Sequence, residues 1–200
     1  IRKFSAETAM TIAKDAKHNT TMISPWVKRF APLVPEGGDV LDLACGSGRH
    51  MRHFLSRGHP VIALDRDVEK VSDFASNPNV EIIKADLEAG HTWPFPDRRF
   101  AGIVVTNYLY RPLFPTLVDA LAEGGILIYE TFGIGNERHG HPRNPDFLLQ
   151  NHELLDFFKD RLKIIAFEQG IADPPPHTRV LQRICATKRA DAEPLKLFSD

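Results

Sequence analysis

The 200-residue sequence has few cysteines, almost no net charge and no long apolar run. Its two cysteines, Cys45 and Cys185, exclude a disulfide-rich secreted fold and favour a cytoplasmic protein with free thiols. The formal net charge of -1 gives no global electrostatic surface for DNA or RNA, although a local basic patch stays open. No apolar stretch has the length of a membrane-spanning helix, and no signal-peptide pattern opens the chain at Ile1.

Motifs that mark several other enzyme classes are missing as well. The sequence has no Ser-His-Asp elbow, Walker loop or zinc motif. His50, His53 and His59 lie close together, but no Cys or carboxylate joins them at a metal-like spacing, so we interpret them as a solvated helix face. No metal site is therefore expected.

What the chain does have is a regular alternation of predicted strands and helices. Strands and helices alternate from 39 to 131, which predicts a parallel sheet with helices on both faces. The last two strands are joined by a Pro-rich tip at 173–176 and should form an antiparallel hairpin at the sheet edge. The predicted strands are 39–43, 60–64, 80–84, 100–106, 126–131, 162–167 and 180–187, and the predicted helices are 25–32, 48–57, 67–75, 112–122 and 151–159.

The composition, 42% apolar and 26% charged, fits one globular domain. We assign that domain to residues 24–188. Residues 1–23 are predicted to form an N-terminal arm or helix, and 189–200 a C-terminal tail.

The most informative stretch is 39–49, a buried strand followed by a glycine turn and a helix start. Gly46 and Gly48 let the backbone turn sharply and approach a ligand, and the following helix points free N–H groups at that place. This arrangement is typical of nucleotide-cofactor sites. The dinucleotide fingerprint requires a third glycine where this chain has Met51, and the carboxylate of Asp42 would repel a pyrophosphate but suits a cationic ligand.

The string Leu-Asp-Leu-Ala-Cys-Gly-Ser-Gly at 41–48 resembles the D-x-x-x-G-x-G motif of class I S-adenosylmethionine (SAM)-dependent methyltransferases. The resemblance covers about residues 24–188. It implies a Rossmann-like, doubly wound α/β fold whose seven-stranded sheet is mostly parallel and ends in the antiparallel hairpin. It also implies SAM as cofactor and S-adenosylhomocysteine (SAH) as product. The loop after strand five looks like a stretch of bacterial methyltransferases grouped loosely with tellurite-resistance and thiopurine methyltransferases.

Two carboxylates close consecutive strands at the edge where ligands bind in open α/β sheets. Asp65 can accept both ribose hydroxyls, and the alternative is that it caps the next helix. The resemblance implies that Asp86 accepts the adenine amino group and that Leu87 supplies a backbone N–H, whereas the alternative for Asp86 is a plain surface loop. Cys45 is not expected to be a nucleophile, because nothing nearby in sequence would lower its pKa. The expected cofactor-binding residues are Asp42, Ala44, Cys45, Gly46, Gly48, Asp65, Arg66, Asp86, Leu87 and Asn107.

The resemblance implies that the segment after strand four faces the transferred methyl group. Asn107 can hold an amine there, and Tyr108 and Tyr110 can wall a sulfonium by cation–π attraction, or else be packing residues. Together with His139 these three are the candidate catalytic residues. No Asn-Pro-Pro-Tyr sequence supports methylation of an adenine or glutamine amino group.

The long loop 133–150 is the candidate acceptor-binding segment, since loops of this length in a compact domain are usually functional. Arg138, His139, His141 and Arg143 could bind an anionic acceptor or serve as a base. The alternative is a hydrogen-bonded Ω-loop without a chemical role.

We therefore expect a methyltransferase that acts on a small-molecule acceptor, without a membrane partner. An RNA or protein acceptor is the second hypothesis, and a basic face of Arg138, Arg143, Lys188 and Arg189 would favour RNA. The other two hypotheses are a NAD-dependent oxidoreductase, which Met51 and the antiparallel ending disfavour, and a protein that binds SAM without catalysis.

Overall fold

The computed structural model describes residues 22–90, 92–172 and 178–189. The predicted N-terminal arm, except for its last two residues, lies outside these ranges, as do the Pro-rich tip and all but the first residue of the predicted tail.

A seven-stranded sheet runs through the described residues in the order β3-β2-β1-β4-β5-β7-β6. Strands β1 to β5 pair in parallel, and β7 pairs antiparallel with both β5 and β6. The predicted fold class is thereby confirmed, including the antiparallel hairpin at the sheet edge. The strands are β1 Val40–Leu43, β2 Val61–Asp65, β3 Val80–Lys84, β4 Phe100–Thr106, β5 Leu121–Phe132, β6 Lys163–Ala172 and β7 Arg179–Thr187.

Side chains alternate between the two faces of the sheet along each strand, so apolar strands have apolar side chains on both faces. Helices cover both faces and bury these side chains. In β1, Val40 packs with the buried residues of α1 and α2, whereas Leu41 and Leu43 pack with those of α3 and α4. The helices are α1 Pro25–Phe30, α2 Arg49–Ser56, α3 Phe114–Ala120 and α4 Glu153–Phe158.

Helix α1 begins as its sequence predicts. Ser24 Oγ accepts hydrogen bonds from the amides of Trp26 at 3.1 Å and Val27 at 3.4 Å, and Pro25 occupies the first helical position. These bonds satisfy amides that have no partner inside the helix, so Ser24 fixes the start of α1.

The helix predicted over 67–75 is instead a 3₁₀-helix, Glu69–Phe74. The carboxylates of Asp65 and Asp67 each accept the amide two residues further on, at 2.9 and 3.1 Å. Such local bonds compete with the helical pattern, and the six residues left form only a tight helix.

The helix predicted over 112–122 ends at Ala120, and β5 begins at Leu121 rather than at 126. Leu121 pairs with Phe100 and Ile126 with Gly102, so the residues between them leave the register of the ladder. Gly124 lies within this irregularity with φ +74°. The two glycines at 124–125 therefore mark a bulge inside a strand, where the prediction took them for a helix end.

Both ends of the loop 133–150 are tied together by backbone hydrogen bonds. The amide of Ile134 donates to the carbonyl of Leu149, and the amide of Leu149 donates to the carbonyl of Phe132, each at 2.9 Å. Inside the loop, the buried Asn136 accepts from the amide of Val180 at 3.1 Å. The segment is thus a closed loop held by its own polar groups, as the Ω-loop alternative describes.

Candidate functional site

A cavity of about 530 Å³ opens at the carboxyl edge of the parallel strands. Residues that follow β1, β2, β3 and β4 line it, together with the last two residues of β5 and two residues of the loop 133–150. Ligands of open α/β sheets bind in this position, because successive loops diverge there and leave a crevice.

The two glycines of the turn have different surroundings. Gly46 lines the cavity with φ +55°, its amide donates to Asp65 Oδ2 at 2.8 Å, and no atom lies within 4 Å of where a Cβ would be. Gly48 starts α2 with φ +71°, and a Cβ there would lie 2.6 Å from Cγ1 of Val71. Gly48 does not line the cavity, contrary to the expectation that it touches a ligand; it permits close packing behind the turn.

Asp65 joins the glycine turn to the end of β2. Its Oδ2 accepts from Gly46, and its Oδ1 accepts from the amide of Asp67 at 2.9 Å. An ionised carboxylate offers about four acceptor positions, so these two bonds leave others directed at the cavity. The alternative, that Asp65 caps the next helix, applies only in that Asp65 closes a local turn, since no α-helix follows directly.

The residues after β3 form the next part of the wall. Asp86 and Leu87 both line the cavity, and Asp86 Oδ1 accepts from the amide of Glu88 at 3.0 Å. Leu64 and the nearly buried Leu87 give this part an apolar surface beside the carboxylate. Arg66, also predicted, lines the cavity as an exposed residue.

Asp42 does not reach the cavity, contrary to the expectation that it faces a ligand. The alternation along β1 directs its side chain to the face covered by α2, where Oδ2 accepts from the amide of Met51 at 2.9 Å. Burial raises the pKa of Asp42 to about 7, a shift that the bond from Met51 and the charge of Arg49 oppose. Asp42 therefore holds the start of α2 beneath the turn.

His50 is 1% exposed, so the interpretation of the histidines as a solvated helix face is wrong. Its Nε2 accepts from the amide of Ser24 at 3.3 Å, and its Nδ1 lies 3.4 Å from Thr106 Oγ1. Burial, helped by Arg49 and His53, lowers the pKa of His50 to about 3. His59, which follows α2, is also buried, and its ring packs edge-on against that of Phe54 with 5.7 Å between the centroids.

Asp42 and His50 should give the free energy of unfolding two opposing pH dependences. The pKa of Asp42 in the folded protein, about 7, lies above its ordinary value of 3.8. The stabilisation of the folded protein by protonated Asp42 is therefore complete below pH 3.8 and is lost as the pH rises to about 7. The pKa of folded His50, about 3, lies below its ordinary 6.5, so its contribution is present above 6.5 and is lost as pH falls towards 3. The two effects largely cancel between about pH 4 and 6.5.

Single substitutions should expose each effect. Urea unfolding across this range is expected to show stability falling as pH rises in His50→Gln, and rising in Asp42→Asn until about pH 6.5. Both replacements keep an oxygen that can accept the original backbone amide. Identical pH profiles for the two variants and the wild type would contradict this account of the buried pair.

Arg49 lines the cavity although the sequence did not single it out. Its guanidinium donates to the carbonyl of Met22 at 3.2 Å and to Thr106 Oγ1 at 3.4 Å. Burial lowers its pKa, while the charges of Glu130 and Asp42 act in the opposite direction. The position, first in the helix after the second glycine, was the available signal, because that residue must lie beside any ligand over the turn.

The segment after β4 supplies part of the wall, as expected. Asn107 and Tyr108 line the cavity, and the backbone carbonyl of Tyr108 accepts from the buried hydroxyl of Tyr129 at 2.9 Å. Burial and the neighbouring Glu88 raise the pKa of Tyr108, so its phenol stays protonated at neutral pH. Tyr110 lies outside the lining and packs against the core, which corresponds to the packing alternative.

The loop 133–150 reaches the cavity through residues other than those predicted. Arg138, His139, His141 and Arg143 are all exposed, and none of them lines it. The loop contributes Pro142 and Phe147 instead, beside Thr131 and Phe132 at the end of β5. His139 is therefore not placed to act as a base in this cavity.

Cys45 lines the cavity as a nearly buried thiol. Burial raises its pKa, and the carboxylates of Asp42 and Asp65 add to the rise. The thiol stays protonated at neutral pH, which disfavours a nucleophilic role. Ala44, the other small residue of the turn, also lines the cavity.

Two further observations hold for the part of the chain that the structure describes. No group of three or more His, Cys, Asp or Glu side chains is arranged to hold a metal ion. None of the helices there combines the length and apolar character needed to cross a membrane.

Comparison with known proteins gives a family match and a group of similar structures. Residues 40–125 match the family model described as a methyltransferase domain. No curated protein matches the sequence.

Three solved structures share the fold. TehB from Haemophilus influenzae is 17% identical with a TM-score of 0.67, and the match covers 86% of this chain but 64% of TehB. A 1,6-didemethyltoxoflavin-N1-methyltransferase from Burkholderia thailandensis, with its substrate and SAH bound, is 16% identical with a TM-score of 0.62 over 94% of this chain and 93% of its own. A TehB-like SAM-dependent methyltransferase from Corynebacterium glutamicum is 17% identical with a TM-score of 0.60 over 92% and 100%.

The family match falls on the segment that carries the glycine turn, Asp65 and Asp86. The sheet order, with its antiparallel β7 between β5 and β6, departs from the all-parallel dinucleotide-binding sheet. Residues 40–125 are therefore a methyltransferase domain, and the described chain has the fold of the matched methyltransferases.

Proposed function

We propose that the protein methylates a small molecule bound next to SAM in the cavity at the carboxyl edge of the sheet. The observation that carries this proposal is the position of Asp65, which borders the same cavity as the open Gly46 turn, while Asn107 and Tyr108 border its other end. Cofactor and acceptor can then lie side by side in one cavity, as methyl transfer requires.

The chemistry of the wall fits SAM better than a dinucleotide. We assign the ribose hydroxyls to Asp65, and the adenine to Asp86 and the apolar surface of Leu87. The amino-acid end would lie over Gly46, where Arg49 offers one cation for one carboxylate. A pyrophosphate in this place would face the carboxylates of Asp65 and Asp86, which disfavours NAD.

When bound, SAM would supply an electrophilic methyl carbon to the acceptor's lone pair, and the electrons of the broken carbon–sulfur bond would stay on sulfur. The chain's own task is to align the acceptor with that carbon and to exclude water. The lining residues from β4, β5 and the loop 133–150 include no His, Asp, Glu or Lys in the described part of the chain. We therefore propose an acceptor atom that is already unprotonated, or that releases its proton to water.

A small acceptor is favoured over RNA because the basic face that RNA would need is not formed. Arg138 and Arg143 lie in the loop after β5, at the carboxyl edge. Lys188 lies beyond Thr187, which pairs with Ile126 near the opposite end of β5, and its Nζ donates to the carbonyl of Val118 at 3.0 Å. The matched enzyme from Burkholderia thailandensis is named for methylating a small heterocycle, which also favours a small-molecule acceptor.

The cytoplasm remains the location that we propose, because Cys45 and Cys185 are both free and buried.

Transfer of radioactive methyl from SAM tests the proposal directly. The protein would be incubated with labelled SAM and, in separate arms, a cell-extract fraction of small metabolites, total RNA or total protein. We expect label in the small-molecule fraction, and its loss with Asp65→Ala. Label in RNA or protein, with none in small molecules, would contradict the proposal.

A further inference from the structure

The two ends of the cavity differ in charge. The wall that follows β2 and β3 carries Asp65, Asp86 and Glu88. At the other end, the lining residues of β4, of β5 and of the segments that follow them carry no group ionised at neutral pH within the described chain: Thr106, Asn107, Tyr108, Leu109, Thr131, Phe132, Pro142 and Phe147. Three aromatic rings, one leucine and one proline border the place where an acceptor must lie, beside three uncharged polar side chains, and Glu88 meets this end only at the hydroxyl of Tyr108.

Neither of the two arginines of the loop 133–150 lines this end of the cavity. The Arg138 side chain is 82% exposed and lies 4.0 Å from the carboxylate of Glu137. Arg143 is exposed as well and does not line the cavity. Arg49 lines the cavity and donates to Thr106 Oγ1 at 3.4 Å, and the proposed site assigns this cation to the carboxylate of SAM. With Arg49 so engaged, an anionic acceptor would enter this end without a free counter-ion, which is unfavourable for a charged group.

Phe147 is a large apolar side chain that is 45% exposed at this wall. Its position is fixed from both sides by Arg111, whose guanidinium donates to the carbonyls of Asp146 at 2.8 Å and Leu148 at 2.9 Å. The same guanidinium pairs with Glu153 of α4 at 2.5 Å. The backbone on both sides of Phe147 is thus held at the cavity, and the exposed surface of the ring is available to a ligand.

The opposite side of this end is fixed too. The hydroxyl of Tyr129, which is fully buried, holds the carbonyl of Tyr108, and Arg111 follows Tyr108 by three residues. One short segment therefore positions Tyr108 through its own backbone and Phe147 through Arg111. Fixed aromatic side chains bind planar rings well, because stacking needs little reorganisation.

We infer that Tyr108, Phe132 and Phe147 form the acceptor subsite and select an uncharged, planar aromatic or heteroaromatic molecule. This inference rests on the proposed function, since the subsite is defined by its place beside the SAM site. It replaces the anionic acceptor that the loop sequence favours.

The test uses three probes that share one carbon skeleton: 2-naphthol, neutral and planar; 2-naphthoate, planar and anionic; and decahydro-2-naphthol, neutral and not planar. Binding to the SAH-loaded protein would be measured by ligand-observed NMR, after calorimetry has established that SAH is bound. We expect 2-naphthol to bind at least five-fold more tightly than either other probe, and Phe147→Ala to weaken it about five-fold. The matched loop variant Arg143→Ala is expected to leave its affinity unchanged.

Three results would overturn the inference. The first is tighter binding of 2-naphthoate that is lost with Arg143→Ala, and the second is equal binding of the planar and the saturated probe. The third is absence of 2-naphthol binding to protein that calorimetry shows to be loaded with SAH. Failure of SAH itself to bind would instead contradict the proposed function, so the two failures are told apart.

Discussion

Asp65→Ala is expected to weaken SAM binding about 100-fold while the protein stays folded. A ligand hydroxyl bound to a buried or half-buried carboxylate contributes roughly 1.5–3 kcal/mol, and the loss of about 2.7 kcal/mol corresponds to 100-fold in affinity. The substitution also frees the amide of Gly46 from Oδ2, so the turn that faces the ligand loses its support. Isothermal titration calorimetry with SAH measures the loss, and circular dichroism checks the fold.

Asp67→Ala is the matched control for this experiment. Asp67 is exposed, accepts the amide of Glu69 at 3.1 Å and does not line the cavity. It should change stability slightly and leave the affinity for SAH as in the wild type. If Asp65→Ala and the wild type bind SAH with equal affinity, Asp65 only shapes the turn, even if the variant is less stable than the wild type.

Gly48→Ala is expected to lower the free energy of unfolding by about 3 kcal/mol, whereas Gly46→Ala should lower it by only about 1 kcal/mol. Both positions have positive φ, which costs an alanine about 1 kcal/mol. At Gly48 the new methyl would also lie 2.6 Å from Val71 Cγ1, and such overpacking adds roughly 1–3 kcal/mol. Thermal and urea unfolding measure both effects.

The affinity for SAH should fall more in Gly46→Ala than in Gly48→Ala, which is the reverse of the order expected for stability. The methyl of Gly46→Ala enters the cavity wall, so SAH affinity is expected to fall at least ten-fold per folded molecule, whereas Gly48→Ala retains more of it once folded. A larger affinity loss at Gly48 than at Gly46 would contradict the assignment of Gly48 to packing.

Short-range patterns in the sequence predicted most of the fold. The predicted bounds of β3 and β4 agree with the structure, β1 begins one residue later than predicted, and β2 is shifted by one residue, because buried apolar runs between turns leave few alternatives. The bulge at 124–125 was missed because glycine marks both helix ends and bulges. Only pairing between distant strands distinguishes the two.

The sequence predicted those parts of the site that depend on where strands end. It did not predict those parts that depend on the direction of a side chain. The glycine turn and the carboxylates after β2 and β3 follow from strand ends meeting at one edge. The direction of Asp42 depends on which face of β1 it occupies, and the burial of His50 depends on how α2 packs. In the loop, the charged residues attracted the prediction, whereas the fold brings Pro142 and Phe147 to the cavity.

Calorimetric titration of the purified protein with SAH and, separately, with NAD tests the central claim most directly. We predict one site per chain for SAH and no heat for NAD. The SAH signal should weaken strongly with Asp65→Ala and persist with Asp67→Ala. Binding of NAD without binding of SAH would contradict a methyltransferase site at this edge of the sheet.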